Sequence, residues 1–464
     1  MEFIYSRNHR IKNRRLVQQY GERVILPFSH DEYCSRQAAF LDQLPLGSLV
    51  IIPTNNKMRR SNDTNFPFRA NSYILYLSGW DKPGSIWVAQ NLESGWKTSL
   101  YVKENNTKSE IWEGRILGPD YASRQMPIDD AYSINSFNDD FLQYIQLDNF
   151  ETVYFLDGIS EKIDNLIYDN NVDCLDARPF IDTLRIIKSE SEVEIMKKSA
   201  ELASEAHILA MKSGISGVSE CHLQSVIEGY FVSNRSRWAY PSIVGGGDNA
   251  TILHYSTNQD DINDGDLVLI DAGCEIDGYA SDITRTWPVN GKFTEPQREI
   301  YNLVLAAEKA AINACQVGSP WKSFHEAASK VLAQGLIDLG ILKCTLDEAL
   351  GEDFNGPFRN YFMHGTGHLL GLDVHDVGGG RQGDNEPGPV FSNGMVLTVE
   401  PGLYFASWRN DVIIPERYSG IGVRIEDNIL ITEEGPIVLT SSCPKEIDEI
   451  ESLIGSGEKF ENLA

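Results

Sequence analysis

Asp271 ends an apolar run (267–270), and Asp282 follows it in the segment DAGCEIDGYASDITRT. Between them, Asp277-Gly278 is a turn signal. If a hairpin sets 271 opposite 282, its turn centres between Ile276 and Asp277, one position from that signal. A bulge would absorb the offset. Two carboxylates side by side at a strand end are costly unless a cation lies between them. The alternative is two unrelated turn aspartates.

A second segment, HGTGHLLGLDVHDVG, places His364, His368 and His375 among glycines. Three of the chain's nine histidines in so short a stretch are hard to explain by packing. An imidazole can ligate a metal, shuttle a proton or donate to an oxyanion. The residues alone do not choose among the three. The spacing is not HExxH, so zincin chemistry is not indicated. His9, His30, His207, His222 and His325 read as ordinary core or surface residues. A third segment, VLTVEPGLY, is a strand-like run that ends at Glu400. In a fourth, GIGVRIEDNILIT, Arg424 and Glu426 share one strand face. A salt bridge between them is the competing explanation for Glu426. Four carboxylates and one imidazole at apolar strand ends suggest a pair of divalent ions. Oxygen-rich ligation favours Mn²⁺ over a thiolate-type zinc site. Such a pair activates water near neutral pH, so spacing alone leads to a metal-assisted hydrolase.

These residues need elements to position them. Residues 47–180 alternate short strand-like runs with turns: Ser48–Ile52, Ser72–Leu77, Ser85–Ala89 and Thr152–Leu156. That pattern suggests a compact α/β domain. Ser189 or Ser191 caps a long helical pattern that runs to about Lys212 and stops at Gly214. The domain boundary is expected at 184–188. Further helices are expected near 295–315 and 324–339, before the Gly/His-rich and strand-like C-terminal part.

Composition bounds the function. The 464 residues suit two larger domains. Lys+Arg number 40 and Asp+Glu 67, a net charge of −27. Such a surface repels nucleic acid and anionic membranes, so neither is expected as a partner. Cys34, Cys174, Cys221, Cys274, Cys315, Cys344 and Cys443 are odd in number and lack CxxC spacing, which points to a reduced, cytoplasmic protein. No apolar run reaches membrane-spanning length. Met1–Gln19 is basic but lacks a secretory h-region. An exposed extension or first helix is expected there, with an organelle transit peptide as the alternative. The tail from Lys445 is expected to be a solvated helix and end.

Taken together and in order, DAGCEIDGYASDITRTWPVNGKFT, HGTGHLLGLDVHDVG, VLTVEPGLY and GIGVRIEDNILIT resemble the metallopeptidases of pita-bread fold. The wording is most similar to the Xaa-Pro aminopeptidase (aminopeptidase P) family. RSNDTNFPFRANSYILYLSGWDKPG and EIWEGRILGPDYA resemble that family's N-terminal domain. The likeness covers roughly residues 30–450. It implies an α/β (α+β) chain. An extension (1–29) would precede a creatinase-like α/β domain (30–185) and a pita-bread catalytic domain (186–464).

The resemblance also implies roles. Asp271, Asp282, His368, Glu400 and Glu426 would ligate two divalent ions, with Mn²⁺ preferred. Glu400 would also move a proton to the leaving nitrogen. His375 would stabilise the oxyanion, and His254 would help bind substrate near the same bond. His364, Tyr240, Tyr404 and Arg424 would line the proline pocket. Trp112 would approach a neighbouring subunit's site, in a homo-dimer or homo-tetramer; a core tryptophan is the alternative. The implied substrate is a peptide with N-terminal Xaa-Pro. A peptide bond before proline has no N–H to hold, and a pocket for the ring replaces that contact. A prolidase would share these ligands, and a metal-free binding module on the same fold would be expected to have lost some. A methionine aminopeptidase would leave the N-terminal domain unexplained.

Overall fold

The computed structural model describes residues 24–146, 150–378 and 390–457. The chain divides into two compact units, Met1–Phe180 and Ile181–Ala464. Residues 1–23 of the expected basic extension and 458–464 of the tail lie outside the described residues.

The first unit is built on one mixed sheet of six strands. Their spatial order is Asp130–Ser133, Gly95–Val102, Ile86–Leu92, Ser48–Pro53, Thr152–Phe155 and Asp173–Asp176. The central strand Ser48–Pro53 is buried along its whole length, as a strand covered on both faces must be. One expectation fails here: Ser72–Ser78 is a helix, not a strand. Asn71 caps it by accepting from the Ile74 N–H, and Gly79 closes it in the left-handed conformation. Both caps outweigh the β-type character of Tyr73, Ile74 and Tyr76. Trp112 sits on the short helix Thr107–Glu113 and is 88% exposed, so it is not a core residue.

The long helix of the second unit is Glu190–Lys212. Its Ser189 cap and Glu192 form a reciprocal capping box. That helix packs on Glu220–Ser233, and a second helix pair follows, Glu295–Ala314 on Lys322–Asp338. The helices enclose small antiparallel sheets. One orders Ile243–Gly246, Leu267–Asp271 and Thr284–Pro288. Another orders Val396–Val399, Asp427–Leu430 and Ile437–Val438, and a third pairs Gly402–Phe405 with Ile421–Arg424. An isolated bridge from Thr284 to Glu426 links the first sheet to the strands at the chain's end, and Thr286 Oγ1 bonds both the N–H and the carbonyl of Arg424 beside it. The short helix Ile447–Leu453 is not fully solvated as expected: Ile447 and Ile450 are buried.

The hairpin register also differs from expectation. Asp271 pairs with Thr284 and Ile276 with Tyr279, so the turn is centred on Asp277-Gly278 itself. Both turn residues have positive φ (51° and 89°), as a two-residue hairpin turn of this hand requires. No bulge is needed. Ala272 and Cys274 bond to Ile283 and Ser281 in the same register, which leaves Gly273 opposite Asp282.

Candidate metal centre

Asp271 closes the strand Leu267–Asp271, and Asp282 lies on the returning arm two positions before Thr284. In this register the two side chains are diagonal neighbours on one face, within mutual reach. Gly273, two positions after Asp271, stands opposite Asp282. A Cβ there would stand 1.7 Å from the Ser281 carbonyl oxygen.

His368 is placed by backbone pairing. Thr398 donates its N–H to the His368 carbonyl (2.8 Å), and Glu400 donates to Thr366 O (2.7 Å). The histidine segment therefore runs beside Val396–Val399, and Glu400 follows directly. Gly367 is required for that approach, because a Cβ would lie 2.0 Å from Thr398 O. Part of the glycine richness around the histidines is thus close packing. Glu426 lies between the strands Ile421–Arg424 and Asp427–Leu430, and Thr284 Oγ1 donates to its Oε2 (2.7 Å).

Among the described residues, one ligand atom each from Asp282, His368 and Glu426 lies within 4.8 Å of the others. His368 Nε2 is 3.4 Å from Asp282 and 3.7 Å from Glu400. Its Nδ1 bonds to the Leu369 carbonyl (3.0 Å), which turns Nε2 to the cluster. Asp271 joins through Tyr240, whose hydroxyl is 2.7 Å from Asp271 Oδ1 and also bonds Asp282. All five candidate ligands line one cavity of about 550 Å³ with Tyr240, His254, His364, His375 and Arg424.

The electrostatics fit a cation. Burial, and then the neighbouring Asp271, pushes Asp282 above the usual carboxylate range. Burial, with Asp282, Glu400 and Asp271 beside it, holds Glu426 well above that range. Glu400 is raised to about 7, by burial first, with His368 and Arg424 opposing. Burial lowers the His368 pKa, but the bond to Asp282 and the charge of Glu400 outweigh it and raise it to about 9. A dense set of buried oxygen donors and one imidazole suits hard divalent cations.

The remaining candidates are placed as follows. Arg424 does not pair with Glu426. Its Nη2 donates to Asp271 (2.7 Å), its Nε to Thr284 Oγ1 (3.1 Å) and its Nη1 to Tyr404 Oη (3.0 Å). Tyr404 is buried behind the wall, and its hydroxyl meets His364 Nε2 at 2.7 Å. With Nδ1 on the Gly365 carbonyl and Nε2 accepting from Tyr404, His364 is a fixed neutral tautomer. Burial and Arg424 lower its pKa to about 3. The His375 ring meets the His368 ring edge-on, with centroids 4.2 Å apart. His375 and His254 are both exposed at the cavity. Trp112 lies in the other unit and does not line this cavity.

The supports of these ligands lie outside the four motifs' charged and histidine positions. Thr284 holds Glu426 and Arg424, Asn428 accepts from the Asp282 N–H (3.1 Å), and Thr398 Oγ1 accepts from the His368 N–H (3.1 Å). A signal existed: Thr284 and Asn428 each stand two residues beyond a candidate ligand, on the same strand face.

A family model for metallopeptidase family M24 matches residues 194–433, and one for the aminopeptidase P N-terminal domain matches residues 33–154. The Xaa-Pro aminopeptidase of Haemophilus influenzae is 40% identical over 428 residues, 91% of this chain and 97% of that protein. The chain belongs to metallopeptidase family M24. All five candidate ligands fall inside the M24 match. Intermediate cleaving peptidase 55, mitochondrial, of Arabidopsis thaliana is 35% identical, covering 92% of this chain and 83% of that one. The solved structure of E. coli aminopeptidase P with the inhibitor Pro-Leu superposes with a TM-score of 0.85 at 37% identity, over 92% of this chain and 98% of that chain. The fold is therefore an aminopeptidase P-type N-terminal domain followed by an M24 pita-bread domain.

Proposed function

We infer that this chain is a divalent-metal-dependent aminopeptidase that releases the N-terminal residue from peptides with proline in second position. The observation that carries this is the convergence of Asp271, Asp282, His368, Glu400 and Glu426 on one cavity that His254, His375 and Arg424 also line. We assign those five residues as ligands of two ions, and Mn²⁺ as the metal, because carboxylate oxygens dominate the set. When bound, the ions would polarise the scissile carbonyl and lower the pKa of an attacking water.

The chain's own groups do the rest. Glu400, which lines the cavity beside His368, takes the proton of the attacking water and returns it to the proline nitrogen as the C–N bond breaks. His375 and His254, exposed in the cavity, donate to the carbonyl oxygen and hold the peptide beside it. The pyrrolidine ring occupies the wall made by His364, Tyr240 and Arg424, with Tyr404 fixing the His364 ring from behind. The acidic surroundings of Asp271 suit the substrate's free ammonium group, which limits release to one residue. We place the domain limits at 1–29, 30–185 and 186–464. Trp112 completes the site of a neighbouring subunit in a homo-dimer or homo-tetramer; its exposure supports this. All seven cysteines are free, which supports a cytoplasmic location. Among the described residues, no helix is long and apolar enough to cross a membrane.

The test is direct. Metal-stripped protein is reloaded with Mn²⁺ and offered Arg-Pro-Pro-Gly-Phe and Gly-Pro, with products followed by mass spectrometry. Release of arginine alone, with Gly-Pro intact, is expected. Cleavage of Gly-Pro alone would make the protein a prolidase. Inactivity on both with every divalent metal would favour a binding module.

A further inference from the structure

Behind the ligands lies a second layer of charge that the reaction does not use. Arg285 directly follows Thr284, and its side chain is wholly buried. Each of its five N–H groups has an acceptor. Nη1 donates to the carbonyls of Glu426 (2.6 Å) and Thr284 (3.0 Å). Nη2 donates to Asp427 Oδ1 (2.7 Å) and Cys443 O (2.9 Å), and Nε to Pro444 O (3.0 Å). One planar fork therefore joins the hairpin arm that carries Asp282, the backbone of Glu426 and the C-terminal segment.

Asp427 anchors this layer. It follows Glu426, so on an extended backbone the two side chains point to opposite faces. The Asp427 carboxylate accepts from Arg285, from Thr440 Oγ1 (2.6 Å) and from Lys445 Nζ (2.5 Å). Lys445 also bonds Glu308 (2.6 Å), and Tyr301 Oη donates to the Lys445 carbonyl (2.8 Å). The C-terminal segment is thus held against the back of the Glu426 strand by buried charge-assisted bonds.

We propose that Arg285 is a positioning residue for the metal centre, and that Asp427 and Lys445 make the C-terminal segment part of the same device. Arg285 acts through the backbone of Glu426 and Thr284, and Thr284 in turn orients the Glu426 carboxylate. Outer partners of this kind orient the carboxylate that would meet a cation, so a loosened clamp weakens metal binding before it unfolds the protein. A lysine at 285 offers three donors without the fork geometry and cannot span these acceptors. The inference rests on the assignment of Glu426 as a ligand.

The experiment titrates Mn²⁺ into metal-stripped full-length protein by calorimetry, well below its melting temperature. Wild type is compared with Arg285→Lys, Lys445→Met and Glu426→Gln, each checked by far-UV circular dichroism. Arg285→Lys and Lys445→Met are expected to keep the fold and weaken Mn²⁺ binding by about tenfold or more. A purely structural role would lower the melting temperature but leave the affinity of the folded protein unchanged. Mn²⁺ affinity within about twofold of wild type in both folded variants, with Glu426→Gln impaired, overturns the inference alone. If Glu426→Gln binds Mn²⁺ as wild type does, the ligand assignment falls and the inference with it. Should Arg285→Lys fail to fold, Lys445→Met carries the test, because Lys445 is partly exposed.

Discussion

Asp271 and Asp282 are not cross-strand partners: Asp271 pairs with Thr284, and Asp282 stands opposite Gly273. The diagonal brings both carboxylates to one face without forcing them into direct opposition. Gly273, opposite Asp282, must be a glycine because a Cβ there would meet the Ser281 carbonyl.

Gly273→Ala should therefore damage the metal centre more than its size suggests. Its Cβ would collide with the Ser281 carbonyl, a backbone atom that cannot swing aside. A cost of about 1–3 kcal/mol or more in stability is expected from overpacking. Urea unfolding and Mn²⁺ binding would both register it. A variant with unchanged midpoint and unchanged affinity would show that the hairpin arm relaxes freely.

Asp282→Asn and His368→Ala should lose metal while keeping secondary structure. Each should lower kcat on Arg-Pro-Pro-Gly-Phe by about 10²-fold or more. Chelation of wild type should do the same, reversibly on adding Mn²⁺. Full activity with normal metal content in either variant would remove that residue from the ligand set.

His207 and His325 predict how stability depends on pH. Burial lowers each pKa to about 4, so both are neutral in the folded protein. Unfolded histidine titrates near 6.5, so the unfolded chain binds more protons below that pH. The contribution is fully present above about 6.5 and is lost as pH falls toward the folded values. By pH 5 the loss is about 2 kcal/mol per histidine. Urea unfolding of metal-free protein at pH 7 and pH 5 measures it, and His325→Leu should reduce the stability change between those two pH values by about 2 kcal/mol. An unaltered dependence in that variant would contradict the assignment.

Trp112→Ala should barely change stability, because the ring is 88% exposed. A change within about 0.5 kcal/mol is expected. If the ring completes a neighbour's site, KM for the pentapeptide should rise while Mn²⁺ affinity stays constant. An unchanged KM would leave Trp112 without a part in catalysis.

Much of the site was legible in the linear chain. Charged residues that interrupt apolar runs are conspicuous, because burial is expensive, and Asp271, Glu400 and Glu426 stood out for that reason. The Asp277-Gly278 turn was equally legible, since few residue pairs accept positive φ twice in succession. The resemblance in the four C-terminal segments then singled out His368 among three histidines, which local pattern could not do.

Partner choice lay outside the chain's local pattern. Arg424 and Glu426 share a strand face, and proximity in sequence suggested that they pair. The fold instead gives Arg424 to Asp271, from a strand more than 150 residues away. Ser72–Ser78 looked like a strand by residue type, yet Asn71 and Gly79 close it as a helix. Thr284, Asn428 and Arg285 look ordinary in sequence and acquire meaning only when the two sheets meet at Thr284 and Glu426. The sequence by itself determined which groups would be costly to bury and where the chain must turn, because those preferences are local. The tertiary structure alone decided which buried charge satisfies which, because that depends on distances set by the packing of distant strands.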